Sequence, residues 1–83
     1  MNWEQKNEYR KNASICRGKL IDQLCLHPEM SRTEKDIITL RIMELDIMPD
    51  SRAWRWGYKG VLKRSRKALE KQLEVEKNED RNA

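Results

Sequence analysis

The segment "SRTEKDIITLRIMELDIM" (residues 31–48) opens with the clearest helix-start signal in the chain. Ser31 in the N-cap position and Glu34 three residues later form the pattern of a capping box. The Ile, Leu and Met residues that follow cover more than one narrow stripe of a helix. A helix with so wide an apolar surface needs neighbours on two sides. We therefore predict that this segment is a largely buried helix lying between two others.

Proline-containing breaks flank this helix, "HPEMS" at residues 27–31 and "MPDS" at residues 48–51. Because proline disfavours helix at the preceding residue, the breaks divide the chain into three helical pieces. The first piece covers about residues 3–26, with Asn2 as its N-cap and Gln5 placed to complete a capping box. The third piece runs from about residue 50 to residue 76.

These pieces predict an all-α protein, either a small three-helix bundle or one in which a long third helix extends beyond the core. Strand patterns are nearly absent. A chain of 83 residues forms at most one domain with one modest core. We predict a single helical domain over residues 1–77 and a polar tail, residues 78–83, that frays.

The third piece places its aromatic residues on different faces. Trp54, Tyr58 and Leu62 recur at steps of four, so Trp54 and Tyr58 are expected to hold the helix on the core. Trp56 lies two residues from Trp54, which is about 200° around a helix. Trp56 is therefore expected to point away from the core.

Charge is concentrated in the same piece. Residues 51–69 contain seven Lys and Arg residues and no acid, a charge of +7, whereas the remaining 11 basic and 14 acidic residues give −3. Such a patch attracts phosphates or acidic protein surfaces. The predicted contact residues form a basic face that includes one tryptophan: Arg52, Arg55, Trp56, Lys59, Lys63, Arg66 and Lys67.

Three interpretations of this face stay open. The first is a solvated helix surface without a partner. The second is a nucleic-acid contact in which Trp56 stacks on a base, and the third is a protein-binding surface centred on Trp56. Helix-turn-helix docking is one version of the second, although the second helix looks long for that motif. We favour nucleic-acid binding, DNA or RNA. The alternative is an inhibitor or adaptor, of the accessory type found in phages and bacteria, that docks on a larger nucleic-acid-handling protein. A homodimer through the third helix is a third alternative.

Residues suited to catalysis are few. Cys25 and the single histidine, His27, form Cys-x-His, but a metal site needs three or four ligands and Cys16 lies too far along the helix. Cys25 is expected to be a small buried residue. Glu70 and its acidic neighbours are expected to pair with adjacent lysines such as Lys71 on a solvated helix surface. We predict a protein that is not an enzyme and that has no cofactor and no metal.

The cysteines and the hydropathy bear on the compartment. Cys16 and Cys25 on one helix would lie roughly 13 Å apart, too far for a disulfide, which fits a reducing environment. The sequence contains no apolar run as long as a membrane span or a signal-peptide core. We therefore expect a cytoplasmic protein with no membrane partner.

Overall fold

The computed structural model describes residues 2–82, and the side chains of residues 2–79. Residues 2–82 fold as four α-helices: α1 (Trp3–Leu26), α2 (Arg32–Asp46), α3 (Arg52–Arg55) and α4 (Tyr58–Asn82). The described range contains no strand, which confirms the predicted all-α class. Because α4 continues to Asn82, it passes residue 77, where the predicted domain ends. The predicted frayed tail falls partly outside the described residues and stays a prediction.

The starts of α1 and α2 follow from side-chain capping. Asn2 accepts a hydrogen bond from the backbone N–H of Gln5 at 2.8 Å, and the Gln5 side chain accepts one from Asn2 at 3.0 Å. Both bonds of the predicted capping box are therefore present. Ser31 likewise accepts from the backbone N–H of Glu34 at 3.2 Å. These bonds satisfy N–H groups that have no partner inside the helix.

The third predicted helix is interrupted, so the prediction of one continuous piece is wrong. Trp56 caps the four-residue α3, and Gly57 adopts a φ of +73° before α4 begins at Tyr58. A right-handed helix needs φ near −63°, so a residue at positive φ ends it. Glycine adopts this conformation without the steric cost that a Cβ atom imposes. The three predicted pieces therefore become four helices.

The central position predicted for α2 is confirmed, because α2 packs against α1 on one side and against α4 on the other. The buried apolar residues are Ala13, Leu20, Ile47 and Leu62. None of the described side chains is completely buried. The core is thin because α2 is shared by two flanking helices that do not close over it.

The molecule is elongated and flat, with principal extents of 53 × 27 × 15 Å. Its radius of gyration is 15.3 Å, whereas a compact domain of this length would have about 12 Å. An elongated molecule exposes more surface for its mass than a sphere does. Long helical faces of α1 and α4 are consequently open to solvent.

Polar contacts join the helices along their length. The Thr33 hydroxyl on α2 donates to the Glu76 carboxylate on α4 at 3.0 Å. Arg66 of α4 contacts Glu44, which lies near the other end of α2. Since the early part of α2 meets the late part of α4, these two helices run antiparallel. Polar partners that lie far apart in sequence thus fix the register of α4 on α2.

Candidate binding surface

The residues predicted to make contact divide into an exposed group and an internal group. Arg52, Arg55, Trp56, Lys63 and Lys67 are exposed. Lys59 and Arg66 are only partly accessible, and both have partners on other helices. The predicted face is therefore not one uniform surface.

Lys59 lies in an aromatic contact at the start of α4. Its ammonium group donates a hydrogen bond to the Tyr9 hydroxyl. It also lies 5.1 Å from the centroid of the Trp54 ring, a distance typical of cation–π contacts. Tyr9 and Trp54 meet edge to face with centroids 5.8 Å apart. Lys59 thus ties α4 to α1 and α3.

Arg66 lies in an ion pair between α4 and α2. Its Nε donates to Glu44 at 2.8 Å, and its Nη1 donates to Glu70 one turn along α4 at 2.9 Å. The hydrogen bond to Glu44 is the main reason that the pKa of the Arg66 guanidinium is raised, although burial partly opposes it. Glu44 itself is buried. Arg66 therefore neutralises a buried carboxylate.

The two aromatic residues expected on the core have different environments. Trp54 is half-buried against Tyr9. Tyr58 is 46% exposed, so the expectation that it holds the helix on the core is wrong. The physical reason is the break at Gly57, which changes the helical phase between Trp54 and Tyr58. Leu62, one turn later, is the buried apolar residue of α4.

An exposed basic stripe follows α4. Lys63, Lys67 and Lys71 recur every four residues, and Arg64 lies beside them; we call these four residues the α4 stripe. No salt bridge within the described side chains involves any of them. Glu70 pairs with Arg66, so its expected pairing with Lys71 is not observed. The four-residue spacing of the lysines was the sequence signal that would have added Lys71 to the predicted set.

Exposed apolar side chains lie next to this charge. Trp56 is 78% exposed in the turn between α3 and α4, as the sequence predicted. Tyr58 and Val61 follow on the first turns of α4 and are about half exposed. An exposed tryptophan with arginines on its N-terminal side combines an aromatic face with positive charge. This combination suits a ligand that has both flat rings and negative charge.

The residues considered for catalysis or metal binding are His27, Cys16 and Cys25. His27 Nδ1 lies 3.0 Å from a carboxylate oxygen of Glu29 in the loop between α1 and α2. Cys16 and Cys25 are free thiols, and Cys25 is exposed, so the expectation of a buried Cys25 is wrong. Within the described range no three His, Cys, Asp or Glu side chains are placed to hold a metal ion.

Comparison of the chain with protein-family models, with curated proteins and with solved structures gives no match. No helix in the described range is both long enough and apolar enough to cross a membrane. Inferences about function therefore rest on the surface itself.

Proposed function

We propose that this protein is a non-enzymatic binding module that contacts nucleic acid through α3, the Trp56 turn and the first half of α4. The observation that carries the proposal is the exposed α4 stripe, which follows the exposed Trp56 along the chain. Lys63, Arg64 and Lys67 lie within residues 51–69, which contain no acid, whereas Lys71 follows Glu70, whose carboxylate is bonded to Arg66. A phosphate backbone supplies the density of negative charge that such a stripe attracts.

The contact surface we propose differs from the set predicted from the sequence. It omits Lys59 and Arg66 and adds Arg64 and Lys71. Lys59 and Arg66 have internal partners and contribute mainly to the fold. Six exposed cations remain: Arg52, Arg55, Lys63, Arg64, Lys67 and Lys71. From Lys63 to Lys71 the axis of α4 rises by about 12 Å, which is long enough to follow several phosphates of one strand.

Trp56 supplies the second part of the proposed contact. Stacking of a base on an aromatic side chain contributes about 1–3 kcal/mol and tolerates any base. A flexible single strand can present both its bases and its phosphates to a narrow surface. We therefore propose single-stranded nucleic acid as the preferred form.

The test is a salt titration of binding to fluorescein-labelled 12-nucleotide single strands and 12-base-pair duplexes, read by anisotropy. If all six cations contact phosphates of a single strand, log K against log salt has a slope of about −4. The double variant Lys63→Gln/Lys67→Gln should reduce this slope by about 1.4. Trp56→Ala should weaken binding about 5- to 150-fold and leave the slope nearly unchanged.

A matched control removes the same charge elsewhere. Arg10 and Lys11 are exposed on α1, so Arg10→Gln/Lys11→Gln changes the net charge equally without touching the α4 stripe. If this control weakens binding as much as the stripe variant does, attraction is non-specific and the proposed surface is wrong. Absence of binding at low salt would also refute the proposal.

The second candidate is a protein-binding inhibitor or adaptor that docks on a larger nucleic-acid-handling protein. The exposed apolar group of Trp56, Tyr58 and Val61 favours it, because tryptophan beside arginine is typical of interface hot spots. A homodimer through α4 would use the same group. Light scattering at increasing concentration tests the dimer, and a constant monomer mass would exclude it.

A further inference from the structure

A groove between α1 and α4, with α2 as its floor, forms a second basic site that is separate from the α4 stripe. The groove is open to solvent and has a volume of about 400 Å³, within the usual range for small-ligand sites. Its lining combines residues from three helices: Cys16, Lys19, Leu20, Gln23, Arg41, Glu44, Leu45, Lys59 and Arg66.

Positive charge dominates this groove. Four of the lining side chains are cations, Lys19, Arg41, Lys59 and Arg66, and Glu44 is the only acid among them. Glu44 is already hydrogen-bonded to Arg66, so its charge is locally compensated. The groove therefore has a net charge of +3 by these residues. In the described part of the chain, Lys19 and Arg41 form no salt bridge.

The two partly accessible cations retain donors that can face a ligand. Arg66 uses its Nε and Nη1 groups for Glu44 and Glu70, and Nη2 makes no hydrogen bond with the described side chains. Lys59 donates one bond to Tyr9, and an ammonium group has three donors. Both side chains are held in place by these bonds. A ligand would meet positioned donors rather than freely rotating ones.

Cations from three helices that surround one concavity repel each other, and a bound anion would remove that repulsion. The guanidinium group of Arg41 has the geometry for a bidentate bond to phosphate, while lysine contributes a point charge. Leu20 and Leu45 provide an apolar wall for the organic part of a ligand. Several cations that line one groove favour a doubly charged phosphate monoester over a single carboxylate.

We infer that this groove binds a small phosphate monoester of about mononucleotide size, with its phosphate held by Arg41, Lys19 and Lys59. Free mononucleotides and the 5′-terminal phosphate of a nucleic-acid strand both present this group. The inference does not depend on the proposed α4 contact, because Lys63, Lys67 and Lys71 do not line the groove.

The two cysteines provide a direct test. Cys16 lines the groove and Cys25 does not, and both are exposed free thiols. The rates of alkylation of the two cysteines by iodoacetamide, a neutral reagent, can be followed by mass spectrometry at constant ionic strength. AMP should slow the alkylation of Cys16 at least fivefold in a saturable manner and leave Cys25 unchanged. Adenosine, which lacks the phosphate, should have no effect.

Charge variants connect the protection to the groove. Arg41→Gln and Lys19→Gln alter exposed side chains, so the fold should persist, and circular dichroism checks it. Each should weaken AMP protection at least tenfold, whereas Arg10→Gln, on α1 outside the groove, should not. The inference is overturned if AMP gives no saturable protection, if adenosine protects equally, or if Arg10→Gln has the same effect as Arg41→Gln.

Two further comparisons complete the experiment. One identifies the source of the phosphate, and the other separates this inference from the proposed function. A 5′-phosphorylated oligonucleotide that protects Cys16 when its 5′-hydroxyl form does not would assign the groove to strand ends. Protection by AMP alone would assign it to free mononucleotides. The variant Lys63→Gln/Lys67→Gln should retain AMP protection, and its loss there would contradict the separation of the two sites.

Discussion

The Arg66 guanidinium on α4 donates to the Glu44 carboxylate on α2 at 2.8 Å, and the two side chains are only 20% and 9% exposed. This pair joins the central helix to the helix that carries the α4 stripe. Both residues of the pair also line the groove between α1 and α4. Arg66 would otherwise have extended the exposed face of α4.

Removal of Glu44 should destabilise the protein because it leaves Arg66 partly buried without its main partner. We expect Glu44→Ala to lower the free energy of unfolding by about 1–3 kcal/mol, measured by urea denaturation. Glu70→Ala is the matched control, since Glu70 bonds the same guanidinium from a more exposed position. It should cost less than about 1 kcal/mol. Equal effects from the two variants would show that burial of the pair has no special role.

The break before α4 depends on the conformation of Gly57. Gly57→Ala should destabilise the protein by about 1–2 kcal/mol, because alanine at a φ of +73° incurs the left-handed penalty. Space is not the reason, since a Cβ atom at this position would meet nothing within 4 Å. Gly18→Ala is the matched control inside α1, where the added Cβ also has open space. It should stabilise the protein by about 0.5–1 kcal/mol. If Gly57→Ala were also stabilising, α3 and α4 would be one helix.

The ion pair between Lys6 and Asp50 predicts a pH dependence on the acid side. The hydrogen bond from Lys6 lowers the pKa of Asp50 in the folded protein. The charged carboxylate is therefore the stabilising form. Its contribution is present above the pKa of the unfolded chain and is lost as the pH falls through the folded pKa.

A carboxyl NMR titration of Asp50 measures this effect. Lys6→Gln should return the pKa of Asp50 toward its ordinary value, whereas Lys11→Gln, the same change on an exposed α1 residue, should not. Asp50→Asn should flatten the acid dependence of stability while keeping the turn, since asparagine tolerates the φ of 64° found here. An Asp50 titration unaffected by Lys6→Gln would contradict the assignment.

Two substitutions of Tyr9 separate the effect of its hydrogen bond with Lys59 from the effect of its ring packing. Tyr9→Phe removes the hydroxyl that accepts from Lys59 and keeps the ring, so it should cost about 0.5–1.5 kcal/mol. Tyr9→Leu also removes the edge-to-face contact with Trp54 and should cost about 1 kcal/mol more. Tyr58→Phe, at an exposed tyrosine, should stay within about 0.5 kcal/mol of the wild type. Urea denaturation of the four proteins provides the comparison, and indistinguishable Tyr9→Phe and Tyr58→Phe variants would refute the role of the Tyr9 hydroxyl.

Helix class, the starts of the first two helices and the central position of α2 were predictable because their signals are local. A capping bond joins residues three apart, and a proline acts on its immediate neighbour. The width of the apolar surface on residues 37–48 was enough to indicate two neighbours for α2. The exposure of Trp56 followed in the same way from its spacing to Trp54.

The break at Gly57 and the inward position of two basic residues depend on contacts between distant parts of the chain. Glycine can adopt either sign of φ, so local sequence leaves its conformation open. Lys59 finds Tyr9 at a separation of 50 residues, and Arg66 finds Glu44 at a separation of 22. No periodicity within one helix reveals such partners. The groove that brings Lys19 and Arg41 beside them exists only because three helices meet there, which is a property of the packed chain rather than of any single segment.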